Sequence, residues 1–230
     1  MKEVLILQHV AVEGPGLIAK ALDRAGVSWR VKMLLTEDRP RLPEITELSG
    51  VVLMGGPMDA GDLRTFPALG LEQQLVREAV AVGLPVLGVC LGHQLIALSL
   101  GAEVDYGATR EIGVAPVQAS GELAFLDELE VLHWHTDNAG LPVGAQRLAS
   151  TGGCANQAFR YGSALGLQFH LELDDELLSE WLKSGMDGDL ETESAEELMS
   201  SFKAQGVLRE QLAARIFDDF ALSARAQLSN

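Results

Sequence analysis

Cys90 has the surroundings expected of a reactive residue. It directly follows the apolar run Val86–Val89, and glycines stand two residues to either side of it, at Gly88 and Gly92. Glycines at this spacing permit the tight strand-to-helix turn called a nucleophile elbow, which lifts the central side chain clear of the backbone. A helix that begins beneath the sulfur favours the thiolate and offers free N–H groups to an oxyanion. The segment predicts a nucleophile, and a buried structural cysteine is the alternative.

His170 is the histidine best placed to act as the base that a nucleophilic cysteine needs. It ends the apolar run 165–169, and Glu172 follows two residues later. Residues i and i+2 of an extended chain face the same side, so the carboxylate can hold the imidazole in one tautomer. His-x-Glu is usually a surface pair, but at a strand end after a cysteine elbow it predicts a Cys–His–Glu triad.

A glycine pair, Gly55-Gly56, follows a third apolar run, 51–54, and precedes Pro57. Two glycines at the carboxyl end of a parallel strand let the backbone approach a ligand closely. Sites in doubly wound sheets open at this edge, so the loop and Cys90 are expected to share one crevice. The alternative is an ordinary turn.

The elements that position these residues alternate between strands and helices. Apolar runs indicate strands at 4–7, 29–34, 51–54 and 86–89, and helical spacing indicates helices at 16–25, 69–82 and 92–100. This alternation predicts an α/β fold with a doubly wound, mostly parallel sheet and helices on both faces. Shorter β-rich runs between 112 and 170 predict hairpins and mixed strands.

The last sixty residues are acidic, with fourteen acids and five bases. Leu208, Leu212, Ile216 and Phe220 recur every four residues and predict an amphipathic helix. We therefore expect a catalytic domain over 1–173 and an acidic helical C-terminal extension over 174–230 that packs on the same domain.

Composition excludes several classes of function. The 230 residues carry a net charge of −16, which disfavours a broad nucleic-acid-binding face. No apolar run reaches the roughly 18 residues of a membrane helix, and the first strand starts too early to leave room for a signal peptide. Two cysteines imply no disulfide scaffold. The expectation is a cytoplasmic protein with no membrane or nucleic-acid partner.

Over residues 4–173 the chain resembles the class I (triad-type) glutamine amidotransferase family, most closely the domains of the GMP synthase type and their free-standing relatives. The resemblance rests on three segments, on their order along the chain and on their spacing: Gly55-Gly56-Pro57, 88–94 and 168–172. The resemblance implies a flavodoxin-like fold without cofactor or metal. It also implies that Cys90 attacks the glutamine side-chain amide to form a γ-glutamyl thioester, while His170 shuttles protons and Glu172 orients His170.

The resemblance also implies a set of substrate contacts. Backbone N–H groups near Gly55, Gly56 and Leu91 would form the oxyanion hole, and Gln94 would help hold the substrate. The segment 132–137, with Trp134, His135 and Thr136, corresponds to the family stretch whose backbone touches the amino-acid head of the substrate. Thr136 stands where many members have glycine.

Four further residues have less pronounced signals. His133 and His135 alternate along a strand and could suggest a metal pair, but the expectation is no metal. His93, in the helix after the elbow, is interpreted as structural. Cys154 has neither an elbow nor an evident base and is interpreted as a bystander thiol.

Four functions remain open from the sequence. The first is glutamine hydrolysis, with ammonia released or passed to an acceptor or to a separate synthetase subunit. The second is a stand-alone γ-glutamyl hydrolase or peptidase that uses the same triad. The others are a DJ-1/PfpI-like stress or chaperone protein and a regulatory module without turnover. The His170-x-Glu172 pair favours the amidotransferase arrangement over the DJ-1/PfpI group.

Overall fold

The computed structural model of the chain describes residues 2–190 and 194–229. Its strands are β1 (Glu3–Leu7), β2 (Trp29–Lys32), β3 (Leu48–Leu53), β4 (Val86–Val89), β5 (Val104–Asp105), β6 (Glu111–Pro116), β7 (Gln118–Ala119), β8 (Glu130–His135), β9 (Asn138–Ala139), β10 (Gln146–Ser150), β11 (Ala158–Tyr161) and β12 (Ala164–Leu167). Its α-helices are α1 (Gly16–Ala25), α2 (Ala68–Ala81), α3 (Leu91–Ser99), α4 (Asp175–Lys183), α5 (Ala195–Ala204) and α6 (Gly206–Ala226).

The central sheet has eight strands in the order β2-β1-β3-β4-β12-β11-β10-β7. The first five of these run parallel, and β11, β10 and β7 continue the sheet in antiparallel pairs. The parallel part has the strand order of flavodoxin-like folds, with β12 in the place of the fifth strand. The prediction of a doubly wound, mostly parallel sheet with mixed strands after it is confirmed.

Helices cover both faces of the sheet, and β1 shows why. Val4 and Ile6 pack in one hydrophobic cluster with residues of α1 and α6, whereas Leu5 and Leu7 pack in another with residues of α2 and α3. Successive side chains of a strand point to opposite faces, so a strand buried on both sides must be apolar throughout. The continuous run 4–7 therefore marks an interior strand.

The described C-terminal part includes three α-helices, and in the last one three of the four residues with the four-residue spacing pack toward the core. In α6, Ile216, Phe217 and Phe220 are buried, but Leu208 is 48% exposed. An α-helix turns every 3.6 residues, so a strict four-residue row drifts around its axis and Leu208 rotates away from the sheet. The division at residue 173 stays a prediction.

A two-stranded ribbon of β6 and β8 lies beside the parallel strands, and a bridge between Leu132 and His170 ties it to the end of β12. Helices α4 and α5 pack on this ribbon through a third hydrophobic cluster that includes Trp134, Trp181 and Phe202. The ribbon thus forms a wall at the carboxyl edge of the sheet. Among the described residues, no helix is both long and apolar enough to cross a membrane.

Candidate active site

Cys90 occupies the sharp turn between β4 and α3, as predicted. Its backbone has φ 53° and ψ −108°, a left-handed conformation that is rare for a residue with a side chain. A Cβ added at Gly88 would lie 2.5 Å from the carbonyl carbon of Gly92, and one at Gly92 would lie 2.1 Å from the carbonyl oxygen of Leu53. The turn therefore requires glycine at both flanking positions.

The Cys90 thiol is 7% exposed and points toward the β6–β8 ribbon. Its Sγ donates a hydrogen bond to the backbone carbonyl of Trp134 at 3.7 Å. The ribbon therefore touches the sulfur directly, through the backbone of the segment that the sequence assigned to substrate contact.

His170 and Glu172 lie side by side just beyond the end of β12. The distance between His170 Nδ1 and Glu172 Oε1 is 2.7 Å, and each side chain is 1% exposed. The edge of the Trp181 ring packs against the imidazole, with ring centroids 5.0 Å apart. Backbone hydrogen bonds from His170 N–H to Leu132 O and from Leu17 N–H to Glu172 O, both 2.8 Å, fix the segment.

The electrostatic surroundings of His170 favour its protonated form. Burial alone would lower the pKa of its imidazole, but the negative charge of Glu172, its hydrogen bond and the neighbouring Cys90 sulfur raise that pKa well above its usual value. His170 Nε2 has no hydrogen-bond partner among the described residues, so this nitrogen is available to the thiol. His170 can therefore accept a proton from the sulfur, while Glu172 compensates the charge that results.

The glycine pair lies against the cysteine. A Cβ added at Gly55 would lie 3.6 Å from Cys90 Cβ, and one at Gly56 would lie 3.0 Å from Leu91 Cδ2. Leu91 is the first residue of α3, where backbone N–H groups have no partner within the helix. The structure thus brings Gly55, Gly56 and Leu91 together around the sulfur.

A cavity of about 260 Å³ opens at this edge. Pockets for drug-sized ligands occupy about 300–1,000 Å³, so this one suits a ligand of amino-acid size. Several predicted residues line it, and Gly55, Leu91 and Glu172 adjoin it without lining it. The predicted lining residues are Gly56, Cys90, Gln94, Trp134, His135, Thr136 and His170.

The outer rim of the cavity includes residues that the sequence reasoning missed. Trp134 Nε1 donates to Asp189 Oδ2 at 3.1 Å, and Arg110 donates to the backbone carbonyl of Asp189. Trp181 and Asp59 also line the cavity. The C-terminal segment therefore contributes to the site, although it lies outside the three motifs that identified the site.

Gln94 and Thr136, both predicted to contact the substrate, differ in burial. Gln94 is 4% exposed, and its Nε2 donates to Gln168 Oε1 at 3.3 Å, which holds the amide at the cavity floor. Thr136 is exposed at the rim, where its hydroxyl donates to Asp137 Oδ1 at 3.3 Å. Thr136 therefore adds a side chain to the rim where glycine would leave open space.

Glu13 is a buried acid beside the triad that the sequence reasoning also missed. It is 6% exposed and lines the cavity, and a Cβ at Gly55 would lie 2.0 Å from its Oε2. Burial raises the pKa of Glu13 to about 7, with His170 opposing the shift and Glu172 adding to it. The feature of the sequence that could have identified Glu13 is the position of an acidic residue in the loop after the interior strand β1.

His133 and His135 lie on one face of β8, as their spacing predicts. Their ring nitrogens and the Glu111 carboxylate lie within 4.8 Å of one another, a spacing that could hold a metal ion. However, Glu111 Oε2 already contacts His135 Nε2 at 3.0 Å and accepts a hydrogen bond from Gln157 Nε2. A hydrogen bond between His135 and Glu111 accounts for this contact without a metal, and the expectation of no metal stays a prediction.

Cys154 and His93 lie apart from this arrangement. Cys154 is buried, and burial raises the pKa of its thiol to about 11. His93 is fully buried in α3, where its ring packs edge-on against Phe159 with centroids 5.0 Å apart. Burial lowers the pKa of His93 to about 3, so its imidazole stays neutral.

Comparisons with known proteins show the family to which the chain is similar. The family model described as "Glutamine amidotransferase class-I" matches residues 16–184. The glutamine amidotransferase-like protein YfeJ of Salmonella typhimurium is 33% identical over 177 residues, which cover 71% of this chain and 73% of YfeJ. A GMP synthase of Paraburkholderia phymatum is 36% identical over 140 residues, but the match spans only 25% of that protein.

Solved structures extend the similarity to nearly the whole chain. A glutamine amidotransferase from Thermotoga maritima superposes with a TM-score of 0.86 at 29% identity and covers 96% of this chain and 98% of its own. Another from Methylobacillus flagellatus gives a TM-score of 0.87 at 30% identity, covering 97% and 95%. With a family match over most of its length and these relatives, the chain belongs to the class I glutamine amidotransferase family.

Proposed function

We propose that the protein hydrolyses the side-chain amide of glutamine through a γ-glutamyl thioester on Cys90 and releases glutamate and ammonia. The observation that carries this proposal is that Cys90 and His170 line one amino-acid-sized cavity, while Glu172 contacts His170 from outside it. Two further features support it: the strained turn beneath the sulfur and the glycine pair beside it.

In the proposed reaction, Cys90 Sγ attacks the amide carbon while His170 Nε2 takes the thiol proton. The tetrahedral oxyanion accepts hydrogen bonds from the backbone N–H groups of Gly56 and Leu91. His170 then protonates the leaving nitrogen, and the C–N bond breaks to give ammonia and the thioester. A water molecule, deprotonated by His170, attacks the thioester and regenerates the thiol. Glu172 holds Nδ1–H throughout and stabilises the imidazolium.

The amino-acid head of the substrate would lie between Gln94 and the backbone of the segment 134–136. Arg110 supplies positive charge at the rim for an α-carboxylate, and the acids Glu13, Asp59, Asp137 and Asp189 supply negative charge for an α-ammonium group. Ammonia would leave free or pass to an acceptor. Because several relatives are GMP synthases, a separate synthetase subunit is one such destination.

A second candidate is hydrolysis of a γ-glutamyl amide whose leaving amine is larger than ammonia. The charge of the cavity lining favours it: even with Glu13 left out, Asp59, Asp137 and Asp189 outnumber the two cations Arg110 and His170, whereas a glutamine head carries one charge of each sign. The surplus negative charge suits a leaving amine that bears a second positive charge, such as a γ-glutamyl diamine. The chemistry on Cys90 would be unchanged.

The test is glutamate release by the purified chain from glutamine, γ-glutamyl ethylamide and a γ-glutamyl diamine. Cys90→Ala is expected to abolish release, and Cys154→Ala is the matched control that is expected to retain it. Preference for glutamine supports the first candidate, and preference for the diamine supports the second. Glutamate release that survives in Cys90→Ala would refute both.

A further inference from the structure

His9 and Glu72 form a buried pair beside the active site that neither the triad nor the cavity lining explains. His9 follows β1, and Glu72 lies in α2 on the buried stripe that includes Leu69 and Val76. The distance from His9 Nε2 to Glu72 Oε2 is 2.9 Å, and both side chains are 1% exposed. Replacing such a pair with apolar residues often leaves stability unchanged or raises it, so stability alone does not account for it.

The other nitrogen of His9 contacts the glycine pair. His9 Nδ1 lies 2.9 Å from the backbone carbonyl oxygen of Gly55. Both partners of the ring, this carbonyl and the Glu72 carboxylate, are acceptors, so both nitrogens must carry a proton for both bonds to form. Burial lowers the pKa of His9, but the hydrogen bond and charge of Glu72 outweigh it and raise the pKa above its usual value.

This contact fixes the direction of the next N–H group. The described residues contain no cis peptide, and in a trans peptide the N–H of Gly56 points opposite to the carbonyl of Gly55. Glycine has no Cβ to resist rotation of the peptide, so the Gly55–Gly56 peptide needs an external restraint to hold one orientation. His9 also packs directly on the loop, because a Cβ at Gly56 would lie 2.9 Å from His9 Cβ.

We propose that the His9–Glu72 pair is a positioning device that holds the Gly55–Gly56 peptide with its N–H directed at the oxyanion. The proposal rests on the proposed function, in which Gly56 N–H is one of two oxyanion donors. Glu72 keeps His9 protonated, and His9 anchors the Gly55 carbonyl on the side away from the reacting atom. Neither residue touches the substrate.

Two amide variants of His9 separate this role from packing. An asparagine amide nitrogen lies near the position of Nδ1 and can still donate to Gly55, whereas a glutamine amide nitrogen lies near Nε2 and can donate only to Glu72. Loss of one oxyanion donor lowers kcat about 10²–10³-fold. We expect about a 10²-fold lower kcat in His9→Gln with unchanged KM, and a kcat within about fivefold of the parent in His9→Asn.

Alkylation of Cys90 by iodoacetamide needs no oxyanion hole and provides the second readout. Its rate is expected to be unchanged in both variants and in Glu78→Gln, a control at an exposed position of α2. If His9→Gln folds poorly, the His9→Gln/Glu72→Gln variant removes the unpaired buried charge and is expected to show the same kcat loss. Equal kcat losses in the asparagine and glutamine variants, with raised KM and altered alkylation, would overturn the proposal.

Crystal structures of the parent and His9→Gln test the device without any turnover. The Gly55–Gly56 peptide is expected to be reversed or to occupy two orientations in the variant and one in the parent. A single, unchanged orientation in His9→Gln would refute the positioning role. A parent that releases no glutamate from any γ-glutamyl compound would instead refute the proposed function and leave this structural result standing.

Discussion

The backbone strain at Cys90 leads to a stability prediction that does not depend on activity. A residue with a side chain at φ 53° and ψ −108° costs about 1–3 kcal/mol, and glycine avoids this cost. We compare Cys90→Ala with Cys90→Gly, because neither has a sulfur and they differ only by one methyl group. Their difference isolates the effect of the Cβ at the turn.

The expected magnitude follows from three contributions. Relief of strain favours glycine by about 1–3 kcal/mol. Loss of a buried methyl group opposes it by about 0.8 kcal/mol, and the greater freedom of glycine in the unfolded chain opposes it by about 0.4–1 kcal/mol. The two variants should therefore have free energies of unfolding within about 2 kcal/mol of each other.

A matched control makes this result decisive. Ala97 is fully buried in α3, about two helical turns beyond Cys90 and outside the strained turn. Its replacement by glycine in the Cys90→Ala background is expected to cost about 2 kcal/mol. Urea unfolding followed by circular dichroism gives both differences. The alanine-to-glycine change at position 90 should be about 1–3 kcal/mol more favourable than the one at position 97. Equal costs at the two positions would show that the turn is not strained.

Three further predictions concern the ionisable groups of the site. A glutamine-analogue diazo-ketone should label one cysteine per chain, Cys90; mass spectrometry that finds the adduct on Cys154 would contradict the assignment. His170→Ala should lower kcat by several orders of magnitude, and Glu172→Gln by about one to two orders less, because an orienting group does not itself transfer the proton; a parent-like kcat in His170→Ala would show that the base is misassigned. Burial holds the pKa of Glu13 at about 7 in the folded chain, against an ordinary value of 4.5. Between these pH values the folded state binds more protons than the unfolded state, so its stability falls as the pH rises through this range. Glu13→Gln should therefore stabilise the protein at pH 8 by a margin that shrinks toward pH 5 in urea unfolding, and an equal margin at both pH values would contradict the shift.

Local sequence patterns predict the part of the fold that depends on local chemistry. The run 86–89 with flanking glycines predicts the turn at Cys90, and the i, i+2 spacing predicts the contact between His170 and Glu172. Each is determined by a few neighbouring residues, through strand periodicity or a steric demand for glycine. These elements therefore need no knowledge of the packed structure.

Contacts between distant elements could not be predicted in the same way. His9 and Glu72 are 63 residues apart, and they meet only because α2 packs over the end of β1. The signal in the sequence was a glutamate on an apolar helical stripe, but such a residue does not identify its partner. Likewise, the acidic C-terminal pattern predicts helices without indicating that Trp181 would pack on His170.

The buried charges of this protein show where selection has favoured function over stability. His9, Glu13, Glu72, His170 and Glu172 are each at most 6% exposed, and all of them lie at the carboxyl edge of the parallel strands. Cys90, with its strained backbone, lies at the same edge, whereas the two faces of the sheet are packed with apolar side chains. Away from this edge, Arg209 in α6 is also a buried charge, and Glu128 also has a positive φ. Buried ionisable groups and left-handed backbone are both unfavourable for folding, so chance would scatter or remove them. The grouping of five buried ionisable residues and the strained Cys90 at one edge is the pattern expected when a rigid apolar scaffold stabilises a site whose chemistry requires them.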